Sequence, residues 1–159
     1  MKRVAMIGVV LAVGLVAQAT AAGSAGSPKV LEFDTMAAVI GPYVGTANPI
    51  RGVNGGGVPW QIDEGRGELR TDGRLEIEVE GLVLVATGMN PVNQFKAIVS
   101  CQTIEGTAAA TTNVSTGTFP ASTSGDSKIE ATVSLPDPCF APIVFVTSPG
   151  GAWFAVTGL

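Results

Sequence analysis

The chain reads as short segments in which apolar and polar residues alternate with a period of two, the spacing of strands that bury one face. The clearest runs from Gly67 to Leu84. Leu69, Leu75, Ile77 and Val79 fall on one side, and Glu68, Arg70, Arg74, Glu76, Glu78 and Glu80 on the other. Thr71-Asp72-Gly73 separates the two halves. A three-residue loop ending in glycine suits a type I turn closed by a left-handed residue. That register sets Leu69 opposite Leu75 and Glu68 opposite Glu76. It also puts Glu68 diagonal to Arg74 and Arg70 diagonal to Glu76, where opposite charges relieve the like pair.

Other segments follow the same rule. Val30-Leu31-Glu32-Phe33 predicts a first strand. Phe95, Ala97, Val99 and Cys101 alternate with Lys96, Ser100 and Gln102; Ile129, Ala131, Val133 and Leu135 alternate with Lys128, Glu130, Thr132 and Ser134. Pro136-Asp137-Pro138 breaks that last run. The stretch from Thr107 to Ser127, rich in Thr, Ser and Ala, suits exposed strands and loops, with a turn at Ser124-Gly125-Asp126. Met36 to Ile40 is the one place that suits a short helix, which Gly41-Pro42 ends. About seven short strands separated by turn residues predict an all-β fold, an antiparallel β-sandwich of seven to eight strands. A small closed β-barrel is the alternative.

Two segments depart from simple alternation. Gly41 to Pro59 is dense in breakers, including Asn54-Gly55-Gly56-Gly57. That run reads either as a turn needing positive φ or as a flexible binding loop that presents Trp60; it lacks the spacing of a phosphate loop. The last two strands, Pro142 to Thr147 and Ala152 to Thr157, flank Ser148-Pro149-Gly150-Gly151, where Pro-Gly favours a type II turn. The expected pairs are Thr147 with Ala152, Val146 with Trp153, Phe145 with Phe154 and Val144 with Ala155. One face then carries Val144, Val146, Trp153 and Ala155; the other carries Ile143, Phe145, Phe154 and Val156. Both are apolar, and a two-layer sandwich buries only one face of each sheet. The second face is therefore covered by the Gly-rich segment or left as a patch for a partner.

The N-terminus carries a different signal. Lys2 and Arg3 precede an uncharged apolar run from Val4 to Ala17, followed by Ala17-Gln18-Ala19 and Ala19-Thr20-Ala21. This is the order of a secretory signal peptide, and the run is short for a bilayer span of about 20 residues. The expected organisation is a signal peptide over residues 1–21, a flexible lead-in over 22–28 and one β domain over 29–159. The expected location is secreted, with N-terminal anchoring on the outer face of the membrane as the alternative. Removing Lys2 and Arg3 from the 9 basic residues leaves 7 against 13 acidic ones. An acidic chain is a poor nucleic-acid binder.

Composition narrows the chemistry. The chain has no histidine, which removes Ser-His-Asp and Cys-His catalysis and His-ligated metals. It has two cysteines, Cys101 and Cys139. In an exported chain they read as one disulfide, with a buried pair of free thiols as the rival. Asp63, Glu64 and Glu68 cluster near Trp60. Such carboxylates hydrolyse glycosidic bonds when held about 5 to 10 Å apart, or supply oxygen ligands to calcium; the plainer reading is solvated surface charge. Asn54, Trp60, Trp153 and Phe154 are the candidate binding surface. No catalytic residue, metal or cofactor is expected.

Leu135-Pro136-Asp137-Pro138-Cys139, running into Ala141-Pro142-Ile143-Val144-Phe145-Val146-Thr147-Ser148-Pro149-Gly150-Gly151-Ala152-Trp153-Phe154-Ala155-Val156-Thr157-Gly158, resembles the C-terminal signature of a group of small exported bacterial proteins. Pro49-Ile50-Arg51-Gly52-Val53-Asn54-Gly55-Gly56-Gly57 with Pro59-Trp60 resembles their other shared stretch, so the likeness extends over most of the mature chain. It implies a bacterial source and supplies no activity. The functional expectation is a non-catalytic, disulfide-stapled module that binds an extracellular protein, a glycan or a second copy of itself, and meets the membrane only through its leader. The alternatives are a small carbohydrate-active domain using Asp63, Glu64 or Glu68, and a structural protein of the cell envelope.

Overall fold

The computed structural model describes residues 26–157. The expected signal peptide, the first part of the lead-in and the last two residues lie outside that range. The described chain is all-β, built from β1 (Lys29–Phe33), β2 (Met36–Ala38), β3 (Trp60–Gln61), β4 (Glu64–Arg70), β5 (Arg74–Glu80), β6 (Val83–Leu84), β7 (Gln94–Glu105), β8 (Ala108–Pro120), β9 (Ser127–Thr132), β10 (Phe140–Thr147) and β11 (Trp153–Thr157). β1-β4-β5-β9 form one open antiparallel sheet, β2-β11-β10-β7-β8 a second, and β3 and β6 a two-stranded ribbon. The sheets do not close on themselves, so the fold is a sandwich rather than a barrel.

Between the layers, Leu69, Leu75, Ile77, Val79 and Ile129 from the first sheet share one core with Phe95, Ala97, Val99, Cys101, Val144 and Val146 from the second. Those from β4, β5, β7 and β9 sit on the apolar side of the alternation; for β10, where both faces are apolar, the structure selects Val144 and Val146. Gly67 belongs to the same face: a Cβ there would stand 2.7 Å from Phe33 Cζ, so the Phe33 ring fills the space a side chain would need.

The β4–β5 hairpin has the expected register, Leu69 opposite Leu75 and Glu68 opposite Glu76. Gly73 takes φ +82° and its N–H bonds the Arg70 carbonyl at 2.9 Å. The diagonal ion pairs do not form. Arg70 bonds Glu68 on its own strand at 2.6 Å, and Arg74 bonds Asp72 at 2.8 Å. Each arginine reaches a nearer carboxylate two residues away along the chain.

Three other local expectations are corrected. Met36–Ala38 is a strand, not a helix: it pairs with Ala155 to Thr157 at the edge of the second sheet and buries Met36 against Gly65. Ladder bonds offered by β11 outweigh a weak local helical preference. In the C-terminal turn the positive φ falls on Gly151 (+94°) rather than Gly150, so Pro149-Gly150 is not a type II turn. The register also slips, by one residue at Thr147, which lies opposite Trp153, and by two beyond the bulge, where Val146 lies opposite Ala155. This bulge exchanges the two aromatics. Trp153 turns to the outer face beside Phe145, and Phe154 turns inward to stack on Trp60 at 3.9 Å between ring centres.

The outer face of the second sheet is covered by a strap made of residues 39–57. Trp153 donates its N–H to the Asn54 carbonyl at 2.9 Å and accepts from Gly56 N–H at 2.8 Å. The Arg51 guanidinium bonds the carbonyls of Ser100 and Ala141 at 3.0 and 2.8 Å, and Asn113 Nδ2 bonds the Arg51 carbonyl at 3.0 Å. Beneath it Phe145 is fully buried and Val156 is 5% exposed. Of the two sequence readings of this apolar face, covering by the chain's own Gly-rich segment is the one observed.

Cys101 and Cys139 form the disulfide, with Cα atoms 5.0 Å apart across 38 residues. It ties the start of β10 to β7 just where that ladder is irregular, between Phe140 and Ile143. Closing such a loop stabilises by about 4 kcal/mol in the chain-entropy model.

Candidate functional site

The four residues proposed from sequence as a binding surface separate in the structure. Trp60 and Trp153 are each 2% exposed and Phe154 is 5% exposed; of the four, Asn54 alone is exposed. Phe154 lies between Trp60 and the edge of Phe95, whose ring centre is 5.9 Å away, and Tyr43 packs on Trp153 at 6.3 Å. The aromatics therefore build the core and the underside of the strap. The glycines of Asn54-Gly55-Gly56-Gly57 serve close approach, because a Cβ on Gly55 would stand 1.9 Å from the Tyr43 carbonyl oxygen. None of Gly55, Gly56 and Gly57 has positive φ.

The carboxylate cluster also separates. Glu64 and Glu68 lie on the outer side of β4, four residues or about 13 Å apart along the strand. Glu64 pairs with Arg66, while Glu68 is held by Lys29 at 2.6 Å and Arg70 at 2.6 Å. Asp63 sits outside the strand, its carboxylate over Gly81. The three are strung along a flat face and do not converge in a cleft. Among the described residues no group of three or more His, Cys, Asp or Glu side chains is placed to hold a metal ion.

What the sheet does bring together was only partly visible in the sequence. Register sets Glu32 opposite Glu68, Glu68 opposite Glu76, and Glu76 opposite Glu130. One glutamate from each strand of the sheet thus forms a row across its outer face, about 14 Å long at ordinary strand spacing. The sequence reading found the Glu68–Glu76 step; Glu32 and Glu130 required the strand order. Cations flank the row. Lys29 bridges Glu32 and Glu68, at 2.7 and 2.6 Å, and Lys128 pairs with Glu130 at 2.5 Å. Arg66 serves Glu64, Glu78 and Glu80 in the neighbouring rows. Glu76 makes no ion pair among the described residues, although its cross-strand neighbours on both sides are carboxylates.

Electrostatics follow from these contacts. The Lys29 hydrogen bond, helped by Arg70, holds the Glu68 carboxyl below the ordinary 4.5. Glu32 and then Glu68 raise the Lys29 ammonium above 10.5, and Glu130 does the same for Lys128. Beside the row lies an open groove of about 570 Å³, with Glu32, Asp34, Glu68, Glu76 and Glu78 set against Arg66 and Lys128. It is an open, carboxylate-rich depression on the outer side of that sheet.

No protein-family model, curated protein or solved structure matches the chain.

Proposed function

We propose that the protein is an exported, non-catalytic binding module, and that the outer face of its four-stranded sheet is the surface that meets a cationic protein or peptide. The observation that carries this reading is the glutamate row. Like charges directly opposite one another across a sheet are destabilising, and Glu76 faces two of them without an ion pair of its own among the described residues. Departures from local consistency concentrate at functional positions. A partner bearing Lys or Arg supplies the missing positive charge, and the groove beside the row gives its side chains room.

The disulfide supports an oxidising compartment outside the cytosol, in keeping with the leader-like N-terminus. The likeness to small exported bacterial proteins adds a bacterial source to the proposal. Against the carbohydrate-active alternative stands the placement of Glu64 and Glu68 about 13 Å apart along β4, with the Asp63 carboxylate turned to Gly81 off the strand. Paired acid–base chemistry needs carboxyl groups within about 10 Å of each other across a substrate.

The test uses a fluorescent oligolysine peptide as the probe, titrated at several salt concentrations. Replacing Glu32, Glu76 and Glu130 together by Gln should weaken binding and flatten its salt dependence. Glu105→Gln, at the end of β7 in the other sheet, should leave both unchanged. Binding that ignores the triple substitution, or that Glu105→Gln weakens equally, would refute this surface.

A further inference from the structure

The sandwich has four sheet edges, and the chain treats them differently. β1 is five residues long, carries Lys29 and Glu32, and breaks register between Lys29 and Leu31. β9 is six residues long with Lys128 and Glu130. β2 is three residues long. Short edges, charges and irregularities are the ordinary means of preventing a sheet from adding a foreign strand. The fourth edge is β8, and it has little of this. It is 13 residues long, the longest strand described. From Thr107 to Gly125 the sequence holds no Lys, Arg, Asp or Glu. Its one irregularity, a register slip opposite Lys96 and Ile98, leaves Ala108 to Ser115 in unbroken register with β7. That regular stretch spans about 24 Å.

Only one side of β8 is used. Its ladder runs to β7, and residues 108–119 make no other backbone–backbone hydrogen bond among the described residues. Alternate N–H and C=O groups along the strand therefore face outward as an open template.

We infer that the free edge of β8 pairs with β8 of a second copy, antiparallel about a two-fold axis, so that the two five-stranded sheets join into one. Three observations favour this occupant. An isologous contact requires the surface to complement itself, and an uncharged strand meets its own copy without like-charge repulsion. The side chains along the regular stretch are Ala, Thr, Asn, Val and Ser; they leave little room for the side-chain pockets through which a sheet edge selects a foreign peptide. The partner strand has the same length and the same uninterrupted register by construction.

The experiment is sedimentation equilibrium of the disulfide-intact protein over a wide concentration range. The wild type should dimerise reversibly. Thr111 and Ser115 are exposed, so lysines there place like charges along the joint while sparing the core. The double variant T111K/S115K should raise the dimer dissociation constant at least about tenfold, with high salt narrowing the difference. Lys128→Glu on the β9 edge should leave it unchanged. A wild type that stays monomeric throughout, or a dimer indifferent to the two lysines, overturns the inference. Should the double variant fail to fold, amide exchange of the wild type decides the matter. Alternate amides between 108 and 115 that slow with concentration support the joint, and amides that do not respond refute it.

Discussion

Trp153 shows how far a single residue's role depends on structure remote in sequence. The alternation of β11 marks it as one of two apolar faces, and the chain must supply cover for the second. That cover is the strap, whose Asn54 and Gly56 bond the Trp153 backbone while Tyr43 packs on its ring. Trp153→Ala is therefore a core truncation and should cost about 3 to 5 kcal/mol in chemical denaturation. An effect below about 1 kcal/mol would mean that the strap does not hold the ring. Sequence reasoning misses these aromatics for different reasons: Phe154 turns inward onto Trp60 in the core, whereas Trp153 lies beneath the strap. Two-residue periodicity says which residues share a face, but not whether a loop lies over that face. The bulge between Val146 and Thr147 then exchanged Trp153 and Phe154, and nothing in the local sequence signals such a slip.

Among the elements, the β4–β5 hairpin was legible because its turn chemistry and its charge alternation point to one register. The strap was not. Its glycines suggested positive φ or mobility, whereas Gly55 is required because its backbone bridges to Trp153 with the Tyr43 carbonyl against it. This distinction is testable within one run of glycines. Gly55→Ala should destabilise by about 1 to 3 kcal/mol through overpacking. Gly57→Ala, where a Cβ meets nothing within 4 Å, should stay within about 0.5 kcal/mol of wild type. Equal effects at the two positions, read from thermal unfolding, would contradict this account of the strap. The edge strand β2 was likewise hidden, since three residues carry no periodicity until β11 offers them a ladder.

For the molecule as a whole, most of the described charge lies on one sheet, and its titration sets the stability profile. The Glu68 carboxyl is lowered chiefly by Lys29, and Asp126 is lowered below 3.8 chiefly by the Ser124 hydroxyl and the Gly81 N–H. A depressed folded-state value means that each contributes stability that is fully present above its unfolded value. That contribution is lost as pH falls through the folded one. The melting temperature should thus begin to fall below about pH 4.5 and continue to fall beneath 3.8. Glu68→Gln and Asp126→Asn should each flatten that decline, and profiles parallel to the wild type would contradict the assigned contacts. The glutamate row itself appears only at this scale, because it needs the strand order β1-β4-β5-β9 to bring Glu32 and Glu130 into line with Glu68 and Glu76. Its central member gives the most direct test of the functional reading. If Glu76 is retained for a partner and at the fold's expense, Glu76→Gln should raise the melting temperature while weakening oligolysine binding, measured on the same preparation. A variant that is less stable than wild type, or that binds the peptide as tightly, would contradict the assignment of this face as the interaction surface.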